Sequence, residues 1–358
     1  MKRQHRKVIP DAACGTLQRR IGERWPLFFI LLIFTFLISA SIGKFSISIP
    51  DILSTIYYHF ADPSMIESAG MGNMETTLFN IRLPRIFAVI LVGGGLSMAG
   101  AAYQGMFKNP MVSPDILGAS AGAALGACIA MLLGWNTYLV QLCSFVTGLV
   151  AVFLATGLTR RLSQDPILGL VLGGIMVSTL CNAGTSMVKL LADADDKLPQ
   201  ITFWLMGGFN TVNKERLASL LLPMAVGYII LFFSRWQLNV LSFGENEARS
   251  LGIRTARTRT LIIFASTLIT SSSVSVCGLV GWVGLVIPHI ARAIIGPNYR
   301  YLLPTTTILG AVFLMIVDNV ARCAFSVELP IGILTSFIGV PFFYFILRYN
   351  RGRGTISD

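Results

Sequence analysis

Few residues in this chain are placed to carry out chemistry, and the clearest candidate is a nucleophile. Residues 118–122 read Gly-Ala-Ser-Ala-Gly, which matches the G-x-S-x-G elbow of hydrolases, with Ser120 at its centre. That elbow needs a strand before it and a helix after it, whereas Gly118, Gly122 and Gly126 recur on one face of an apolar run. No histidine or aspartate stands at hydrolase-like spacing from Ser120. We therefore expect helix packing here, with an intramembrane hydrolase as a remote alternative.

Other chemistries have weaker support. The three histidines are too scattered to predict a metal cluster, and the six cysteines show no C-x-x-C spacing. The chain also contains no G-x-x-x-x-G-K-[ST] phosphate loop. We expect no metal, no cofactor and no catalytic residue, so any energy from ATP must come from a separate subunit.

Charged residues at the edges of apolar runs are more informative. Asp318 and Arg322 lie four residues apart, so one helical turn places them on one face, where they can neutralise each other or line a polar path. Arg82 and Arg85 stand three residues apart at the outer mouth of a predicted helix. The loops on that side are otherwise acidic. The arginines are therefore either exposed docking points for an acidic partner or anchors that snorkel to the membrane surface.

The elements that must position these residues are apolar helices. Hydrophobic residues make up 54% of the chain and charged residues 13%, against about 25% charged residues in soluble domains. A span of roughly 20 apolar residues crosses the hydrocarbon core. We predict an all-α membrane protein with a membrane domain over 26–348. Its third helix should be capped by Ser113 and begin at Pro114, with Asp115 at the positive end of the helix dipole. The ten predicted transmembrane helices lie near 26–43, 84–107, 115–134, 138–158, 167–188, 217–236, 260–277, 280–295, 302–322 and 330–347.

Basic residues fall almost entirely on alternate loops. Of the 28 lysines and arginines, 20 lie in the two termini or in loops that ten crossings place on the same side. The positive-inside rule makes that side cytoplasmic, with cytoplasmic tails over 1–25 and 349–358. The net charge of +11 is then explained by topology and membrane lipid, and we expect no nucleic-acid partner.

The inner loop 237–259 is the most distinctive polar segment. Glu245, Ala248, Leu251 and Gly252 have helical spacing, and Gly252 is a natural helix stop. The segment is too polar to span the membrane. It is either a short cytoplasmic helix that fits a groove of a partner protein or a solvated loop that faces lipid.

Several motifs in order resemble one family. They are RLPR (82–85), VGGGLSMAGAAYQGMFKNPMVSPDILGASAGA (92–123), FWLMGGF (203–209), GENEARSLGI (244–253), GLVGWVGLVIPHIAR (278–292) and DNVARCAFSVELPIGILTSFIGVPFF (318–343). With these motifs the chain resembles the FecCD family, the permease subunits of bacterial ABC importers for iron–siderophores, haem and cobalamin. The resemblance runs from about residue 26 to residue 348.

This resemblance implies an ABC type II importer permease fold in a prokaryotic cytoplasmic (inner) membrane. It implies a homodimer, or a pair with a homologous permease, together with two cytoplasmic ABC ATPase subunits and an extracytoplasmic substrate-binding protein. The expected cargo is an iron–siderophore or a related metal chelate, with haem or cobalamin as alternatives. An ion-coupled secondary transporter is a more distant alternative.

The resemblance also implies roles for individual residues. It places the ATPase contact on Gly244, Glu245, Ala248, Arg249, Leu251 and Gly252. It places docking of the binding protein on Arg82, Arg85 and Arg322, although Asn319 stands where the motif often has Ile. It places the inner gate at Ser163, Gln164, Asp165, Pro166 and Ile167. The fifth helix should line the path with Ser178, Thr179, Asn182, Thr185 and Ser186.

Overall fold

A computed structural model of the protein describes residues 25–43, 45, 47–61, 71–162 and 165–354. All regular secondary structure in this part of the chain is helical, which confirms the predicted all-α fold. The helices are α1 (Trp25–Ser41), α2 (Ile49–Ala61), α3 (Gly72–Met106), α4 (Ala119–Leu132), α5 (Thr137–Leu162), α6 (Pro166–Leu191), α7 (Lys197–Leu205), α8 (Lys214–Phe233), α9 (Arg235–Phe243), α10 (Glu245–Ser250), α11 (Thr255–Cys277), α12 (Val283–Ile295), α13 (Tyr299–Cys323) and α14 (Ile331–Gly354).

The predicted number of spans agrees with these helices. Six of the described helices, α3, α5, α6, α8, α11 and α13, are long and apolar enough to cross a membrane. Four shorter apolar helical segments coincide with the remaining predicted spans: α1, α4, α12 and the part Ile331–Phe345 of α14. In lipid, a helix satisfies its own backbone hydrogen bonds, which is why an apolar chain of this kind folds as helices. The last helix continues to Gly354, beyond residue 348.

The start of α3 differs from the prediction. The helix begins at Gly72 rather than near residue 84, and Thr77–Arg82 form a π-helical turn within it. Pro84 follows that turn after one residue, Leu83. Because proline has no amide hydrogen, the wide turn before it replaces the regular α-helical hydrogen bonding that Pro84 would interrupt.

The start of the third span also differs. Residues Pro114–Leu117 form a 3-10 turn, and α4 begins only at Ala119. Ser113 makes no capping hydrogen bond through its side chain, so the predicted cap is wrong. Gly118 adopts a left-handed φ of 85°, which ends the turn before α4 starts. Packing against α6 holds the turn: a Cβ on Gly174 would lie 2.0 Å from the Ile116 carbonyl oxygen.

Helix α3 is the buried centre of the bundle and crosses its neighbours at glycines. A Cβ on Gly93 would lie 2.4 Å from the Gly310 carbonyl oxygen of α13. A Cβ on Gly100 would lie 1.8 Å from the Gly284 carbonyl oxygen of α12. These backbones therefore touch, as small residues permit inside a membrane.

The glycine face of α4 packs in the same way. A Cβ on Gly122 would lie 2.4 Å from the Ala151 Cβ of α5, and one on Gly126 would overlap the Thr147 hydroxyl. This confirms helix packing as the structural role of the repeated glycines.

The helix ends that the sequence assigns to the outer side meet in space. We define the outer end of the bundle by residues 40–43, 45, 82–85, 133–137, 192–213 and 318–332. There Arg82 of α3 and Arg322 of α13 both contact the last residues of α1. At the opposite, inner end, Arg292 of α12 donates to Gln104 of α3 at 3.1 Å. Both groupings agree with the predicted alternation of the spans.

Candidate functional site

The inner loop folds into two short helices, α9 and α10, separated by Gly244 at φ 155°. A Cβ on Gly244 would overlap the Glu247 carboxylate. Helix α10 ends in a Schellman motif, in which the Gly252 amide donates to the Arg249 carbonyl and the Ile253 amide to the Ala248 carbonyl, both at 3.0 Å. Gly252 has a left-handed φ of 79°, which confirms the predicted helix and its stop.

Glu245 ties α10 to the start of α11. Its carboxylate accepts hydrogen bonds from Arg249 at 2.9 Å, Arg259 at 3.0 Å and Thr255 at 3.2 Å. Partial burial of Glu245 opposes its ionisation, but the positive charge of Arg259 and these hydrogen bonds outweigh that effect and lower the pKa of the carboxyl. Ala248, on the packed face of α10, is fully buried. The segment is therefore fastened to the bundle by both charge and packing.

Two large apolar side chains flank α10 and are exposed at the protein surface. Phe243 is 77% exposed and Leu251 is 60% exposed. Leu251 belongs to the predicted contact set, whereas sequence reasoning missed Phe243. The amphipathic pattern of residues 235–243 could have identified it, because Leu238, Val240 and Leu241 are buried while Phe243 is not.

At the outer end, Asp318 lies between two arginines. It accepts from Arg85 Nη2 at 2.9 Å and lies 3.2 Å from Arg322 Nε, which confirms the predicted pair within α13. Arg85 also reaches Glu328 at 3.0 Å. The exposed fraction is 1% for Asp318, 6% for Arg85 and 7% for Arg322. We call Arg85, Asp318, Arg322 and Glu328 the outer ion-pair cluster.

Arg82 has a different set of partners. Its guanidinium donates to the backbone carbonyls of Ala40, Ser41 and Phe45, where α1 ends. The Ala40 and Ser41 carbonyls belong to the last turn of α1 and have no amide partner within that helix. Phe45 lies just beyond the helix, and Arg82 binds all three carbonyls. Arg82 is 4% exposed. The expectation that the three outer arginines are exposed is therefore wrong, because carbonyls and carboxylates of the same chain cover them; their docking role stays a prediction.

The predicted gate lies at the start of α6. Ser163 and Gln164 lie outside the described residues. Asp165 caps the helix, accepting from the Ile167 amide at 2.8 Å, and Pro166 takes the first helical position.

The polar residues further along α6 divide between two faces. Thr179, Asn182 and Ser186 are exposed and lie on one face, with Ser178 half-buried at its edge. Thr185 points into the bundle and donates to the Cys181 carbonyl at 3.0 Å, so it does not share the face expected to line the path.

Ser120 has a partner that the sequence did not predict. Its hydroxyl donates to the Asp115 carboxylate, which the left-handed turn at Gly118 brings back toward α4. A 3-10 turn stands where a nucleophile elbow needs a strand. The contact therefore joins the turn to the helix and does not form an elbow.

Two of the sequence motifs, 203–209 and 318–343, meet at the outer end together with the residue that precedes a third, Cys277. The Gly208 amide donates to the Cys277 carbonyl at 2.8 Å, and the Ile331 amide to the Gly207 carbonyl at 2.9 Å. Gly207 has a left-handed φ of 75°, and a Cβ there would lie 2.2 Å from the Leu279 carbonyl oxygen. No spacing in the sequence predicted this junction.

Comparison with known proteins gives consistent matches over almost the whole chain. The model of the FecCD transport family matches residues 31–349. The molybdate import system permease protein MolB of Haemophilus influenzae is 37% identical, over 92% of this chain and 96% of its own length. The vitamin B12 import system permease protein BtuC of Klebsiella pneumoniae is 35% identical, over 94% and 97%.

A solved structure gives the same result. It is described as an inward-facing conformation of a proposed metal-chelate type ABC transporter, and it superimposes with a TM-score of 0.80 at 37% identity. The match covers 90% of this chain and 97% of that one. Sequence and fold therefore agree that this multi-pass chain is an ABC transporter permease that belongs to the FecCD transport family.

Proposed function

We propose that two copies of this chain, or one copy and a homologous permease, form the membrane pathway of an ATP-driven importer in a prokaryotic inner membrane. Two cytoplasmic ATPase subunits supply the energy, and an extracytoplasmic binding protein delivers the cargo. The observation that carries the proposal is the inner segment α9–α10. The segment exposes Phe243 and Leu251 at the inner surface, and Glu245 fixes the segment to α11.

The mechanism is mechanical. ATP binding favours one arrangement of the ATPase subunits, and a ligand can shift a conformational equilibrium only by such differential affinity. The movement passes from the ATPase through Gly244–Gly252 to α11 by way of the Glu245–Arg259 ion pair. The helices then rock between outward-open and inward-open states. The inner gate lies at residues 163–167, and the path follows Ser178 and Asn182 of α6.

Coupling is tested in vesicles that contain the chain, its ATPase and its binding protein. We expect Glu245→Gln to reduce uptake per ATP hydrolysed severalfold, because the ion pair that links the segment to α11 is lost. Glu247→Gln is the matched control, since Glu247 is exposed and forms no ion pair with any residue that the structure describes. Equal coupling in both variants would contradict the role of the segment. Uptake driven by an ion gradient without the ATPase would favour a secondary transporter instead.

Docking of the binding protein is proposed at the outer end around Arg82, Arg85 and Arg322. Because the three guanidiniums already contact carbonyls and carboxylates of this chain, docking through them requires exchange of these contacts for carboxylates of the partner. Arg82→Glu should weaken binding at low salt, and the difference should shrink at high salt as charges are screened. Affinity that is equal for both forms at both salt concentrations argues against this surface.

For the cargo we propose an iron–siderophore or a related chelate, with haem or cobalamin as alternatives. The exposed face of α6 offers hydroxyl and amide groups among apolar side chains and carries no basic residue before Lys189. Such a face suits a bulky chelate of mixed polarity better than a small dianion, which needs compensating positive charge. Uptake of ferric siderophore, haem, cobalamin and molybdate by the assembled transporter tests this. Uptake of molybdate alone would contradict the chelate proposal.

A further inference from the structure

A polar cavity lies at the outer end, away from the exposed face of α6. Its volume is about 510 Å³, and it lies between the turn after α4, helix α7 and the start of α8. Its walls include Trp135, Gln141, Lys197, Gln200, Trp204 and Arg216. The FWLMGGF motif supplies one wall and the floor, so the cavity gives this motif a role beyond the backbone junction described above.

Positive charge in the cavity is not balanced by a partner. Lys197 Nζ donates to the Leu132 carbonyl, and Arg216 Nη1 donates to the Thr211 hydroxyl. Within the described part of the chain, neither cation lies at ion-pair distance from a carboxylate. The acidic residue of the lining, Asp196, accepts a hydrogen bond from Gln200 at 2.7 Å. Lysine has three donors and arginine five, so most of their N–H groups remain available.

The floor of the cavity contains a glycine that packing does not require. A Cβ on Gly208 would meet only the Asn210 Oδ1 atom, at 3.6 Å, which is ordinary contact. At the neighbouring Gly207 a Cβ would clash with backbone at 2.2 Å. A Cβ at Gly208 therefore meets no clash, and because Gly208 lines the cavity, a larger side chain there is expected to occupy part of it.

We propose that this cavity binds an oxygen anion, a carboxylate or a phosphate, carried on an apolar or aromatic body. Lys197 and Arg216 bind the anion through charge-assisted hydrogen bonds, helped by the amide of Gln200. The indoles of Trp135 and Trp204 pack against the apolar body, as in ligand sites that combine aromatic walls with a few polar groups. Two sources share this chemistry: an anionic solute outside the cell, and the headgroup of an anionic phospholipid. The proposal goes beyond the transport function and does not depend on it.

The test uses the purified full-length chain in detergent and salicylate, an aromatic carboxylate, as the probe. Phenol, which has the same ring without the carboxylate, is the matched control probe. We expect saturable binding of salicylate, measured by equilibrium dialysis, and no saturable binding of phenol. Removing both cations with Lys197→Gln and Arg216→Gln should raise the Kd about tenfold or more. Lys214→Gln, an exposed lysine outside the cavity, should leave the Kd unchanged.

A second variant tests the cavity without altering its charge. Gly208→Leu should abolish binding while circular dichroism and size-exclusion behaviour stay those of the parent. Absence of saturable salicylate binding, equal binding of phenol, or an unchanged Kd in both the double variant and Gly208→Leu would overturn the proposal. Nanodiscs distinguish the sources: loss of salicylate binding in phosphatidylglycerol but not in phosphatidylcholine identifies the lipid headgroup, and binding in both identifies the solute.

Discussion

The outer ion-pair cluster allows a comparison between two carboxylates that share one arginine. Arg85 bonds both Asp318 and Glu328, at 2.9 and 3.0 Å, but the side chain of Asp318 is 1% exposed and that of Glu328 is 31% exposed. Neutralising a buried partner leaves uncompensated charge and costs about 3–5 kcal/mol, whereas a partly exposed pair contributes about 0–1 kcal/mol. We therefore expect Asp318→Asn to destabilise the protein far more than Glu328→Gln. At about 2 °C per kcal/mol, the Tm should fall by roughly 6–10 °C for Asp318→Asn and by no more than about 2 °C for Glu328→Gln.

The buried cysteines provide the assay. Cys128, Cys181 and Cys277 are buried and become reactive toward a fluorogenic maleimide only when the bundle opens. Exposed Cys323 and half-buried Cys143 contribute to the starting signal, which is subtracted for each variant. The Tm of each variant is read from the rise in fluorescence on heating in detergent. Equal shifts for the two variants would refute the reasoning from burial. An unchanged Tm for Asp318→Asn, together with lost affinity for the binding protein, would show that the cluster serves docking rather than stability.

Further predictions follow from close packing and from the inner segment. Gly100→Ala should lower the Tm by an amount equivalent to about 1–3 kcal/mol or more, because its Cβ would lie 1.8 Å from a carbonyl oxygen of α12; Gly157→Ala, with nothing within 4 Å, should not. A similar fall for both glycine variants in the same thermal assay would contradict the crossing of α3 and α12. Glu245→Gln should speed tryptic cleavage after Arg249 severalfold, because the segment loses its ion pairs, while Glu247→Gln should be cleaved at the parental rate.

The outer arginines also bear on how a partner could bind. Arg82 and Arg322 fasten the end of α1 to α3 and α13 through backbone carbonyls. A binding protein that competes for these guanidiniums would loosen three helices at once. Docking and opening of the outer end would then be one event. The Arg82→Glu variant would therefore change the packing of α1 against α3 as well as the affinity for the binding protein.

Much of the architecture could be predicted from the sequence. Apolar runs of membrane length and alternating basic loops determine the spans and their order, because lipid leaves the backbone no alternative to helices. The helical spacing around Ala248 and the stop at Gly252 are local properties, and the structure confirms both. The Asp318–Arg322 pair is likewise local, since one helical turn brings the two side chains together.

Only the tertiary structure decided which charges are exposed and where motifs meet. Arg85 and Asp318 lie 233 residues apart, so their ion pair cannot be inferred from spacing within one helix. The contact of Arg82 with the end of α1 and the junction of Gly207 with Ile331 depend in the same way on packing between distant helices. Periodicity reports the face of a single helix, whereas burial of a charge depends on which backbone carbonyls and carboxylates the other helices bring to it.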